Sequence, residues 1–164
     1  MSVNKKNLKY YLFLFLFIFL ILSFYFIKNK LQKEKELATK PISINLLTSV
    51  HPDLSWNFKP VKSIIFVKPG EVTNVEYIVE NLGSEKSTGI ATFAYFPDKI
   101  GSYISKINCF CYDAQTLNPK QKYKFTLIIL IDPEVTKDSK TKSIKEATIQ
   151  FTFFDYKKYK ANNS

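Results

Sequence analysis

Eighteen consecutive residues, Tyr10 to Ile27 (YYLFLFLFIFLILSFYFI), carry no charge. At about 1.5 Å per residue, a helix of this length covers roughly 27 Å, enough to cross a bilayer core with little tilt. The segment divides the chain before any other feature does, because a globular core has to come from the residues that follow it. Tyr10, Tyr11 and Tyr25 lie near its ends, where amphipathic rings favour the membrane interface. A cleaved signal peptide fits less well. The apolar run exceeds an ordinary h-region, and Ile27-Lys28-Asn29-Lys30 follows it in place of a small-residue cleavage site. The expectation is an uncleaved single-pass anchor over 10–27, with residues 1–9 as a short tail and 28–42 as a polar tether. Lys5, Lys6 and Lys9 precede the span and Lys28, Lys30, Lys33 and Lys35 follow it, so lysine counting alone does not orient it.

Beyond the tether the hydrophobic period changes to two. Val75, Tyr77 and Val79 alternate with Asn74, Glu76 and Glu80, and Tyr123, Phe125, Leu127, Ile129 and Ile131 form the clearest alternation in the chain. Ile149, Phe151 and Phe153 alternate with Thr148, Gln150 and Thr152. Shorter runs occur at 54–58, 63–67 and 91–95, and turn signals separate them: Lys68-Pro69-Gly70, Asn81-Leu82-Gly83, Pro97-Asp98, Asn118-Pro119 and Asp132-Pro133. Glu134 to Lys145 reads as polar loop. Seven to eight short strands, with no helical period outside the anchor, predict an all-β domain. Its architecture is an immunoglobulin-like antiparallel β-sandwich over 43–157, followed by a basic tail at 158–164. The Cys…Trp…Cys spacing of true immunoglobulin domains is absent, so only the architecture is implied.

The net charge is +10, which invites a nucleic-acid reading. All 24 basic residues, however, are lysine, and the lysines are dispersed. Arginine, the usual bidentate reader of guanine and phosphate, is missing. No nucleic-acid partner is expected; anionic lipid and acidic protein surfaces rank above it.

Chemistry is concentrated at Cys109-Phe110-Cys111, the only two cysteines in the chain. The run Tyr103 to Tyr112 reads as a strand. On a strand the i and i+2 side chains share a face, with Cα atoms about 6.5–7 Å apart. Two soft thiolates on one face suit Cu(I). The same extended spacing makes a poor structural disulfide. Burial as small apolar side chains and a labile disulfide are the alternatives. On the strand reading, neither face of this segment is purely apolar, which places its end at the surface. His51 is the only histidine and sits in a Pro/Asp loop. Without a nucleophile elbow or Gly-rich turn beside it, it reads as solvated, and no enzymatic activity is expected. Zinc is disfavoured because structural zinc cysteines are spaced by two to four residues.

The stretch Gly101-Ser102-Tyr103-Ile104-Ser105-Lys106-Ile107-Asn108-Cys109-Phe110-Cys111-Tyr112-Asp113-Ala114-Gln115-Thr116-Leu117-Asn118-Pro119 resembles the signature of the CtaG family of cytochrome c oxidase assembly proteins. Trp56-Asn57-Phe58-Lys59-Pro60, Pro69-Gly70-Glu71, Tyr95 to Pro97 and Asp132-Pro133-Glu134 extend the likeness over most of 54–154. The resemblance implies a copper chaperone that binds Cu(I) through Cys109 and Cys111. Its cargo goes to the Cu-B site of cytochrome c oxidase subunit I, and it takes copper from an upstream donor. The resemblance also implies a copper-dependent homodimer. It implies a cytoplasmic N-terminus and a domain facing the periplasm from the bacterial inner membrane, or the intermembrane space from the mitochondrial one. The competing class is an anchored periplasmic β-sandwich that only binds protein, with incidental cysteines. The chain departs from the family pattern in several places. Ile104 and Tyr112 stand where phenylalanine is usual, Lys120-Gln121 replaces Gly-Glu, and Phe125 takes a position where many members carry methionine. Lys28 to His51 lacks the further cysteine and the Gly-Gly-Thr turn found there in most members.

Overall fold

The computed structural model describes residues 5–162, with only the backbone at 5–10 and 34–39. Residues 1–4 and 163–164, parts of the two expected tails, lie outside the described residues, as do the side chains of Tyr10, Lys5, Lys6, Lys9 and Lys35. The chain divides into a helical unit, Met1–Ala38, and a β unit, Thr39–Ser164.

Helix α1 spans Lys5–Thr39. Within it, Tyr11–Lys33 is long and apolar enough to cross a membrane. The helix continues through the segment expected to be a tether, because Leu31 to Thr39 holds neither glycine nor proline to break it; Pro41 does, two residues past the end.

Among its described residues the β unit holds nine strands: β1 (Ile42–Val50), β2 (Trp56–Pro60), β3 (Ile64–Val67), β4 (Val72–Asn81), β5 (Ser87–Phe96), β6 (Ile104–Asn108), β7 (Gln115–Leu117), β8 (Lys122–Ile131) and β9 (Glu146–Asp155). A short helix α2, Tyr156–Asn162, follows them. One sheet has the order β3-β1-β9-β5-β7 and the other β2-β4-β8-β6. Packed together, they form the expected sandwich. Pairing is antiparallel throughout except between β1 and β9, which run parallel from Ser43↔Glu146 to Val50↔Phe153.

The alternating residues meet between the sheets. Tyr77, Val79, Leu127, Ile129, Ile131, Phe151 and Phe153 are fully buried. Their polar neighbours on the same strands face outward, as half-buried sheets require. Close packing also explains Gly89: a Cβ there would stand 2.8 Å from Leu54 and 2.9 Å from Trp56. The Pro97–Tyr103 stretch preceding β6 is a 3-10 turn over Asp98–Tyr103. The polar loop after β8 opens with another, Pro133–Thr136, capped by the Asp132 carboxylate accepting from the Glu134 N–H.

Besides the tether, the expectation of no helix outside the anchor is corrected by α2, and two more are corrected here. The cysteine strand does not run to Tyr112: β6 ends at Asn108, and Cys109 to Tyr112 form a turn closed by the Tyr112 N–H on the Cys109 carbonyl at 3.2 Å. Strand β7 went unrecognised because three residues are too few to display a period of two.

Candidate metal centre

The Cys109-Phe110-Cys111 turn crosses from β6, the edge of one sheet, to β7, the edge of the other. β7 covers β5 only at Ser87, Thr88 and Gly89. Beyond Gly89, β5 has no strand beside it on that side among the described residues, although the Asp98–Tyr103 turn packs against its Tyr95 end; the cysteine turn lies at this open side.

Phe110 decides the local conformation. Its side chain is buried and inserts between the sheets, stacking on Phe125 at 4.9 Å between centroids. Phe151 lies 5.0 Å away, Tyr77 5.4 Å and Phe58 5.6 Å. Lys106 pairs with the inward Ile129, but the bulge after it sets Asn108 opposite Ile128, whose side chain points away from the core, so a strand continued in that register would carry Phe110 away from this aromatic centre. Burying a ring of that size outweighs the lost ladder bonds, so the chain turns.

The turn places the two cysteine Cα atoms 5.0 Å apart, closer than the extended spacing, and the sulfurs are joined in a disulfide. This corrects the expectation that Cys-x-Cys would resist bridging: that objection held for a strand and does not hold for a turn. Cys109 is itself buried, contrary to the expectation of an exposed strand end, while Cys111 is half-buried against the core. Its N–H points to Cys109 Sγ at 3.2 Å.

Further side chains brace the turn. Gln115 Nε2 donates to the Phe110 and Asp113 carbonyls, both at 3.1 Å. Tyr112 Oη donates to the Lys106 carbonyl. Asn81, fully buried, holds β7 in place: its Nδ2 donates to the Leu117 carbonyl at 3.2 Å and the Asn118 carbonyl at 3.1 Å. The bracing roles of Phe110, Gln115 and Asn81 were not evident from the sequence. The available signal was Phe110 itself, a large apolar residue between two candidate ligands.

Lys106 spans the open side from β6 to β5. Its Nζ lies 3.2 Å from the Phe93 ring centroid and donates to Tyr95 Oη at 2.9 Å. Desolvation lowers the Lys106 pKa from its ordinary value, and burial together with Tyr112 pushes Tyr95 up to about 12. His51 does not join the cysteines; it is exposed, 3.4 Å from Asp53, and stacks on Phe154 at 5.5 Å. No cluster of three or more His, Cys, Asp or Glu side chains occurs among the described residues. The two sulfurs are thus the only soft donors this turn offers.

These features define a β-sandwich with an apolar N-terminal helix and a Cys-x-Cys turn pinned to its aromatic core. The family model for cytochrome c oxidase assembly protein CtaG/Cox11 matches residues 22–155, and the chain belongs to that family. It is 37% identical over 123 residues to the cytochrome c oxidase assembly protein CtaG of Sinorhizobium fredii, covering 75% of this chain and 62% of the relative. It is 34% identical to the CtaG of Ehrlichia ruminantium strain Welgevonden, covering 80% and 74%. Against human mitochondrial COX11 it is 33% identical, covering 79% and 47%. The chain thus spans less than two thirds of the Sinorhizobium and human proteins.

Proposed function

We propose that this protein is a membrane-anchored copper carrier in oxidase assembly. It would hold Cu(I) on Cys109 and Cys111 and insert it into the Cu-B site of cytochrome c oxidase subunit I. The observation that carries this reading is the turn itself: two sulfurs converge at the open side of a rigid sandwich, held by the buried Phe110 ring. Membership in a family named for oxidase assembly supports it. Soft thiolates select Cu(I) over harder or more highly coordinated ions.

The bonded pair must first open. A dithiol reductant supplies two electrons and two protons, giving two thiols and its own disulfide. Cu(I) then replaces the two thiol protons, and copper leaves when donors on subunit I replace the sulfurs. Two protons then return to the sulfurs and restore the dithiol; copper is carried from one set of ligands to another with no substrate bond made or broken, so the function is transfer and not catalysis. Two thiolates of one turn leave Cu(I) able to accept a third soft donor. A second chain's thiolate fits that place and makes the dimer copper-dependent. α1 anchors the chain with its N-terminus in the cytoplasm and the β unit outside, within reach of an oxidase loaded from that face. A reporter active only outside the cytoplasm, fused after Ser164, tests this orientation.

The disulfide also favours a second reading, an anchored protein-binding sandwich whose cysteines serve only as a cross-link. Copper titration of the full chain in detergent under a phosphine reductant discriminates the two. The carrier binds about one Cu(I) per chain, tightly, and loses it on Cys109→Ser or Cys111→Ser. Full copper retention in the double serine variant refutes the site.

A further inference from the structure

The opposite edge of the sandwich, away from the cysteine turn, carries an unexplained apolar surface. β3 is the outer strand of its sheet and pairs only with β1. Its four residues, Ile64-Ile65-Phe66-Val67, include no charge, although open edges are ordinarily blunted by charge within the strand. Ile65 and Val67 turn inward; Ile64 and Phe66 turn outward, and Phe66 is 71% exposed. On the facing sheet β2 pairs with β4 only from Tyr77 to Asn81, so the first half of β4 has no strand beside it on that side among the described residues. Between β3 and this half of β4 lies a cleft of about 490 Å³ lined by Val61, Lys62, Ile64, Phe66, Val75 and Glu76. Val61 and Val72 extend the exposed apolar surface. Exposed Lys59, Lys62 and Lys68 stand around it with two acids, Glu71 paired with Lys68 at 3.6 Å and Glu76 paired with Lys124 at 2.6 Å, which leaves lysine in excess.

We infer that this edge docks on an anionic phospholipid surface, with Phe66 and Ile64 entering the interface and Lys62 and Lys68 meeting the headgroup phosphates. Three observations select lipid. An exposed aromatic and aliphatic pair inside a rim with lysine in excess over Glu71 and Glu76 is the composition that interfacial binding requires. The connection along the chain is short: Phe66 pairs with Ser43, which lies only ten residues beyond Lys33, the end of the apolar span. A second copy in the register centred on Ile65 is opposed, because antiparallel β3-to-β3 pairing there sets Lys62 of one copy against Lys68 of the other. The inference does not depend on copper.

The test uses the full chain in nanodiscs of phosphatidylcholine alone or of a phosphatidylcholine–phosphatidylglycerol mixture. Hydrogen exchange is followed across residues 61–68. Two lysines near an anionic surface shift the docked population by about tenfold or more, and exchange slows accordingly in the mixed discs. Phe66→Asp, and Lys62→Glu with Lys68→Glu, abolish the slowing while leaving the melting temperature in detergent within a few degrees, since these side chains are exposed. As a second readout, Phe66→Trp is quenched by brominated phosphatidylglycerol more than the wild type is. Equal exchange in the two lipid compositions overturns the inference. So does slowing that follows the number of chains per disc and not the lipid, which assigns the edge to a second copy.

Discussion

The Phe110 ring lies 4.9 Å from Phe125 with 17° between the ring planes, so the residue between the two cysteines is part of the sandwich core. The candidate ligands are therefore carried on the backbone of a core residue, and the rigidity of the site follows from the packing of the fold.

Phe110→Ala removes that anchor. Emptying a fully packed aromatic site costs about 3–5 kcal/mol, and Phe110→Leu costs less. Urea unfolding of the reduced protein measures this. Copper affinity is expected to fall with it, since the turn loses the contact that sets its shape.

Gln115→Ala deletes the two hydrogen bonds to the Phe110 and Asp113 carbonyls. The expected loss of stability is about 1 kcal/mol. Amide exchange over residues 109–114 is expected to rise while the strands keep their protection. An unchanged turn would show that Phe110 alone holds it.

Reduction of the Cys109–Cys111 bond is expected to leave the domain folded. The bridge closes a loop of only a few residues, so it constrains the unfolded chain by about 1–2 kcal/mol. Thermal melts with and without a phosphine reductant check this. Collapse on reduction would make the bond structural and count against a carrier that must cycle through the dithiol.

Tyr103 Oη donates to Asp138 Oδ2 at 2.5 Å, joining the turn before β6 to the loop after β8. That hydrogen bond, with a further one from the Lys140 N–H, holds the Asp138 carboxyl below the usual carboxylate range, and it raises the Tyr103 phenol. The acid's contribution is complete above its unfolded pKa, about 3.9, and is lost as pH falls through the lower folded value. The phenol's contribution is complete below about pH 10 and is lost as pH rises through its higher folded value. Tyr103→Phe is expected to flatten both limbs of a stability-against-pH curve. A variant curve parallel to wild type at both ends would remove the link.

Lys106 offers a separate check on the open side of the sandwich. Its ammonium sits over Phe93 and donates to Tyr95. Lys106→Met keeps the stem's packing but removes the cation, so copper affinity should change more than stability if the positive charge favours thiolate at the nearby turn.

The apolar span, the sandwich class and the inward residues of β4, β8 and β9 were legible in the sequence because each rests on local periodicity, and burial follows directly from it. Val75, Tyr77 and Val79 behave as their alternation requires. The two cysteines were also evident as the only thiols, and the family motif pointed to them. What the sequence alone did not determine is the shape that joins them. Local pattern favours a strand through Tyr112, with the sulfurs apart. The cavity between the sheets, bounded by Phe58, Tyr77, Phe125 and Phe151, exists only once strands distant in sequence have assembled. Filling it with Phe110 gains more than continuing the ladder, and the chain turns there. The 5.0 Å spacing of Cys109 and Cys111 is thus a consequence of tertiary packing. The same holds for the edge at Phe66: its residues are visible in the sequence, but only the assembled sheets leave them uncovered.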